Sequence, residues 1–302
     1  IGNVDACFST YLEKSKRNFE SYDSIILGPI SLDLGGIPID LTVPIIGMSH
    51  AFDINEVPES SEAFEKILKN LARFSHVIVD NSFIKTKLVN KFKFQKPVTI
   101  IPYGCDFEKF AECNPELQGN LRILSMRNWT KIHSNQIILE ALSILKEEGI
   151  IDRAIFIGDG PELDAGKNFC REKNLNFLVE FKGFAETHEI IEAMNVSNVY
   201  VSASRSDGSS VSLMEAMAGG LISCVTNHPS NESIITNREN GFLYHNQNPD
   251  SLASTLREIY KLQHEERTLN SKNARIHAKS AFDWSHNKIH LQKTILEVIG
   301  GK

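Results

Sequence analysis

The sequence predicts a parallel α/β protein of the doubly wound, Rossmann-like type, and three observations predict it. Short apolar runs rich in β-branched residues alternate with segments of helical periodicity along most of the chain. One such unit, Val199 to Gly220, joins a strand to a helix through a Gly-Ser loop. The 302 residues, 41% hydrophobic and 23% charged, are enough for about two domains.

In the first third, the strand-like runs are Ser24 to Leu27, Val43 to Ile46, His76 to Val79 and Val98 to Ile101. Helical patterns over 62–74 and 83–94 separate the later ones. Gly35-Gly36, set among Asp, Pro and Leu, reads as a turn. From about residue 105 the alternation is complete. Strands are expected at 121–126, 154–158, 178–182, 198–203 and 221–225, and helices at 134–148, 162–173, 187–194, 210–218 and near 249–262.

The unit from Val199 carries the chemistry. Val199-Tyr-Val is a strand, Ser206-Asp207-Gly208-Ser209-Ser210 supplies turn and N-cap residues, and helix formers then run to Gly219-Gly220, which stop them. The first-turn amides of such a helix lack intrahelical acceptors and carry partial positive charge, so they can hold a pyrophosphate. Glu215 falls about one turn inside the helix, within reach of a ribose diol. Asp207 stays in the loop, within reach of a sugar.

The stretch resembles the E-x7-E signature of the retaining glycosyltransferases of family 4, written here Asp207-x7-Glu215 with Asp in place of the usual Glu. Other segments resemble the family's motifs in the family's order. Ile101-Pro-Tyr-Gly-Cys-Asp106 is similar to its interdomain linker, and Arg127-Asn-Trp-Thr-Lys131 to its phosphate-clamping loop, one residue shorter than usual. Gly158-Asp-Gly160-Pro161, Phe181-Lys-Gly183-Phe184, and Asn231-Glu232 with Asn240-Gly241-Phe242-Leu243 follow. The closing segment, Ala274 to Ile299, resembles the family's last helices. The resemblance implies a GT-B fold, two Rossmann-like domains facing a cleft. It would divide the chain into 1–104 joined by a closing helix over 285–302, and a nucleotide-sugar-binding domain over 105–284. The family's first domain carries further strand–helix units and a glycine-rich loop, so this half is expected to be truncated or unusually short.

The resemblance also implies site roles. His50, Asp207, Arg127 and Lys131 would serve catalysis. Glu215, Gly208, Ser209, Ser210, Val211, Ser212, Gly158 and Phe184 would bind the donor. Each principal candidate has a structural alternative. Glu215 could merely complement a helix dipole, Arg127 could pair with an acid, and Lys131 could face solvent. Asp207 could cap the next helix, and His50 could be a hydrogen-bonded residue after a strand. Gly158-Asp-Gly160-Pro161 lacks the third glycine of a dinucleotide fingerprint, and Ser209-Ser210 lacks the G-x-S-x-G context of a nucleophile.

The net charge of −6 gives no global field for nucleic acid. Lys85, Lys87, Lys91, Lys93 and Lys96 concentrate locally, either against an anionic membrane or as a solvated face. Five cysteines without a C-x-x-C pair point to a reducing compartment and away from zinc. No run approaches the length of a membrane span. With Ile1 in first place, the numbering is expected to start inside a longer protein.

The expected activity is transfer of a sugar from a nucleotide-diphosphate sugar to a glycan or lipid-linked acceptor, in the cytoplasm or at the inner membrane face. A peripheral membrane contact stays open. No metal and no cofactor beyond the donor is expected. Two other readings are a nucleotide-sugar-binding fragment incapable of turnover and a GT-B sugar-nucleotide epimerase.

Overall fold

The computed structural model describes residues 19–300, apart from 35, 36, 39 and 56. The expectations placed on Gly35-Gly36, on Cys7 and on the two ends of the chain lie outside the described residues. The chain divides into two compact units, Ile1–Tyr103 with Ser285–Lys302, and Gly104–Trp284.

The first unit holds a parallel sheet in the order β1 (Ile25–Leu27), β2 (Ile45–Met48), β3 (His76–Val79) and β4 (Val98–Ile100). Helices α1 (Phe52–Asn55), α2 (Glu62–Arg73) and α3 (Ser82–Asn90) connect them. The starts of the two longer helices are fixed by side-chain caps. Ser61 Oγ accepts from the Phe64 amide at 3.1 Å, and Asn81 Oδ1 from the Ile84 amide at 2.9 Å. One core gathers Ile67, Leu71, Ile84 and Leu88 with Val77 and Val79. A smaller one forms where Leu291, Ile295 and Val298 of the closing helix (Trp284–Gly300) meet Ile46, Ile78 and Ile101.

The local run of lysines is engaged with the backbone. Lys85 donates to the Val98 carbonyl, Lys87 to the Asn55 carbonyl and side chain, Lys91 to the Val57 carbonyl, and Lys96 to those of Ala72 and Phe74. Four of the five ammonium groups therefore fasten backbone segments to one another. No helix among the described residues is long and apolar enough to cross a membrane.

The second unit opens with α4 (Phe107–Ala111) and alternates thereafter: β5 (Leu121–Met126), α5 (Asn135–Leu145), β6 (Ile151–Ile157), α6 (Leu163–Glu172), β7 (Val179–Gly183), α7 (Thr187–Asn195) and β8 (Val199–Ser202). Then come α8 (Val211–Ala218), β9 (Ile222–Thr226), α9 (Pro229–Glu232), β10 (Phe242–Tyr244), α10 (Pro249–Lys261) and α11 (His264–Ala281). All six strands are parallel, in the order β10-β9-β8-β5-β6-β7. Their buried residues alternate between two cores: Ile123, Val199, Val201 and Cys224 face one, and Leu124, Tyr200 and Val225 the other. The strand order reverses direction between β5 and β8. In a doubly wound sheet, loops part at that point and leave a crevice at the strands' C-terminal ends.

Among the elements that depart from the sequence expectation are β6, β10 and α11. β6 begins at Ile151, because Ile151 and Arg153 pair with Leu121 and Arg122 of β5 across a bulge that skips Asp152. β10 was not expected: three residues carry no periodicity, and only pairing of Phe242 with Cys224 makes them a strand. α11 starts ten residues before Ala274, at a capping box in which Glu266 Oε2 accepts from the Gln263 amide at 2.8 Å.

Candidate active site

The loops after β5 and β8 bring Arg127 and Asp207 together at the switch point. Their side chains form an ion pair and are only 10% and 19% exposed. Nη1 of Arg127 also donates to Ser210 Oγ at 2.9 Å and Ser212 Oγ at 3.1 Å, while its Nε has no hydrogen-bond partner among the described residues. Ser212 Oγ lies 2.9 Å from the buried Tyr200 hydroxyl. Arg127 thus has the acidic partner that the sequence left as its alternative, yet the pair sits at a strand end beside a helix N-terminus, where an anion would compete for the guanidinium.

Helix α8 is capped by Ser210, whose Oγ accepts from the Leu213 amide at 3.4 Å, so capping is not the task of Asp207. The ladder begins with Leu213 and Met214 donating to the Ser210 carbonyl, so the amides of Ser210, Val211 and Ser212 precede it. Gly208 donates to Asp207 Oδ1 at 2.9 Å, which folds the loop back on its own carboxylate. Ser209, Ser210 and Ser212 are buried and Val211 is exposed. Glu215 lies one turn beyond Ser212 on the same helix face. Burial raises its carboxyl to about 7, and Lys109 of α4 opposes that rise. No hydrogen bond or ion pair from a described residue reaches it.

Gly158 reaches the site through the backbone. Its φ is +130°, and a Cβ there would stand 2.5 Å from the Arg127 carbonyl oxygen, so only glycine lets the loop after β6 close against the loop after β5. Asn135 holds the same carbonyl from the other side at 3.0 Å. Phe184, just beyond β7, is 85% exposed, a large aromatic face with nothing covering it within its unit. Lys131 is exposed, and no described residue holds its ammonium at the cluster; its carbonyl accepts from Ser134 Oγ at 2.8 Å.

His50 stands apart from these groups in sequence and belongs to the first unit, directly after β2. It is exposed, its ring centroid is 5.5 Å from that of Tyr103, and its amide donates to Asp53 Oδ1 at 3.0 Å. The buried Asp53 also accepts from Ile30 N and Ser49 Oγ, and burial raises its carboxyl despite those bonds.

Sequence reasoning missed two histidines beside the ion pair. His228 follows β9, is 6% exposed, and has a buried Nε2 without a hydrogen-bond partner. Burial lowers it to about 4, with Asp207 raising and Arg127 lowering it. His133 is lowered by burial and then by Arg127. A signal for His228 was available: a polar residue before Pro229 at the C-terminal end of a parallel strand. Ser230 Oγ donates to the Asp207 carbonyl at 2.7 Å, which ties that loop to the one bearing Asp207.

Residues 107–277 match the family description "Glycosyl transferases group 1". WcaL of Salmonella typhimurium, whose name places it in colanic acid biosynthesis as a glycosyltransferase, is 25% identical over 65% of this chain and 49% of its own length. The UDP-Gal:alpha-D-GlcNAc-diphosphoundecaprenol alpha-1,3-galactosyltransferase of Escherichia coli is 24% identical over 85% of this chain and 70% of its own. The chain spans about half the length of the first curated relatives it matches, 49% and 44% of the Salmonella typhimurium and Escherichia coli WcaL chains. Among solved structures, Anabaena HepE in complex with UDP superposes with a TM-score of 0.73 at 19% identity, covering 84% of this chain and 72% of that one. The fold is GT-B, built of two parallel Rossmann-like units.

Proposed function

Because the chain belongs to the glycosyl transferases group 1 family, we propose that it transfers a sugar from a nucleotide-diphosphate donor bound at the β5–β8 switch point, with retention of anomeric configuration. The observation that carries this reading is the convergence of Arg127, the Ser210 and Ser212 hydroxyls and the first amides of α8 at one strand-end crevice, with Glu215 one turn along. In this reading the diphosphate takes the place of Asp207 on Arg127. Freed from the guanidinium, Asp207 turns to the transferred sugar, and Glu215 accepts from the ribose hydroxyls. The proposal gives Lys131 the outer phosphate oxygens and Gly208 with Ser209 the amides that line the anion. Phe184 and the Gly158 loop border the base.

Cleavage of the sugar–phosphate bond leaves negative charge on the departing phosphate. Preorganised donors aimed at that charge lower the barrier by roughly 3 kcal/mol each. His50 is assigned to the transfer step and not to nucleotide binding. A uridine nucleotide and a lipid-linked acceptor are supported by the likeness to the Escherichia coli UDP-Gal galactosyltransferase. Action at the cytoplasmic membrane face, without a metal or further cofactor, is part of the same proposal.

Calorimetric titration with uridine, guanosine and adenosine diphosphates and their sugars tests it. Binding of one nucleotide, lost in Glu215→Ala and in Arg127→Ala, is the expected result. Isomerised donor in the absence of acceptor would instead identify an epimerase, and binding without transfer to any acceptor a binding fragment.

A further inference from the structure

Arg267 of α11 is 4% exposed and has no carboxylate partner among the described residues. Its Nη1 donates to the Leu117 and Gly119 carbonyls at 2.8 and 3.0 Å, and its Nη2 to the Tyr260 carbonyl at 2.7 Å. Its Nε is buried with no hydrogen-bond partner among the described residues. A second guanidinium, Arg122, is tied to the carbonyls of Glu116, Gln118 and Val196, also without an ion pair, and its charge acts on Arg267. A buried cation is costly unless something opposite in sign accompanies it, and here only carbonyl dipoles do so.

Arg267 lines an open cavity of about 320 Å³ with Gln118, Asn120, Tyr260, Gln263 and His264. No Asp or Glu is among its lining residues. The cavity lies against the N-terminus of the 18-residue α11, whose first turn carries Glu265 and Glu266, the latter accepting from the Gln263 amide in the capping box. The buried guanidinium of Arg267, the side chains of Gln118 and Gln263 and the first turn of α11 border one concave place, while the Asn120 amide is held by the Gly149 carbonyl and by Asp152. We propose that this cavity binds a small anion of the phosphate class. It is separate from the switch-point cluster: Gln118 to Asn120 precede β5 and Arg127 follows it, so the length of a six-residue strand, about 20 Å, lies between them. The volume exceeds what a bare phosphate fills, which favours a phosphomonoester over the free ion.

The test is calorimetric titration of the whole chain with inorganic phosphate and, separately, with glycerol phosphate. Binding of either in the wild type and in Arg127→Ala, weakened at least about tenfold in Gln118→Glu and in His264→Glu, supports the site. Those variants place a carboxylate on the lining and leave the three carbonyl bonds of Arg267 untouched, and unchanged thermal midpoints verify their folds. Tighter binding of glycerol phosphate than of inorganic phosphate assigns the cavity to a monoester, and equal binding assigns it to the free ion. No heat with either anion in the wild type, or binding lost in Arg127→Ala and kept in both lining variants, overturns the proposal.

Discussion

Arg127 and Asp207, 80 residues apart in the chain, close an ion pair at the point where the strand order of the second unit reverses. The pair holds the guanidinium in the orientation from which it reaches the Ser210 and Ser212 hydroxyls. An anion arriving at α8 must compete with Asp207 for it.

Asp207→Asn removes that competition. The variant is expected to bind the nucleoside diphosphate more tightly, by roughly tenfold or about 1.4 kcal/mol, and to transfer sugar more slowly. It is also expected to unfold more easily without ligand, because the largely buried guanidinium loses its partner. Calorimetry, initial rates and melting with and without the nucleotide check the three parts. Weaker diphosphate binding would show that Asp207 positions the clamp and does not compete with the ligand.

Glu215 is expected to make donor binding depend on pH. Its carboxyl is raised from 4.5 to about 7, so the charged form that accepts from a diol fills only as pH rises through 7. Nucleotide affinity is expected to climb between pH 6 and 8, and Glu215→Gln to flatten the climb. The effect on stability has the opposite sign. Between the unfolded value near 4.5 and the folded value near 7, the folded state binds more protons, so stability contributed by this group falls as pH rises through that window. Urea midpoints across the window, compared with those of Glu215→Gln, report it.

Gly158→Ala is expected to damage the site through the backbone alone. The added Cβ meets the Arg127 carbonyl at 2.5 Å, in a φ that L side chains rarely adopt. A loss of about 1–3 kcal/mol in stability should come with loss of diphosphate binding. Chemical denaturation and calorimetry on the same preparation measure both.

His50→Ala separates the two units functionally. Nucleotide affinity should stay as in the wild type while kcat falls, by roughly 10²-fold if the imidazole stabilises the transition state. A fall in affinity of the same size would place His50 in nucleotide binding.

Much of the fold was legible because its causes are local. Ser61, Asn81, Ser210 and Asn248 each cap the helix that follows them, and Gly219-Gly220 end α8 where the pattern says they should. β10 and the early start of α11 were not legible, since the first depends on pairing with β9 and the second hides in a polar stretch without periodicity. In the site, the strand–loop–helix around Asp207 and Glu215 was readable, and the family match over 107–277 covers it. His228 and His133 were not readable, because what singles them out is burial beside Arg127, which no neighbour in sequence reveals. The lysines of α3 and after it show the same limit. Their spacing says charge, and only the fold says that four of them end on carbonyls.

The sequence by itself determined the alternation of strands and helices, the N-terminus of α8 and the positions of its two carboxylates, because propensity, capping and turn chemistry act over a few residues. The tertiary structure alone decided that Arg127 meets Asp207, that Glu215 is buried enough to titrate near neutrality, and that Arg267 has no counter-charge among the described residues. Those outcomes depend on strand order and on exclusion of water, and both are set by contacts between residues that are distant in the chain.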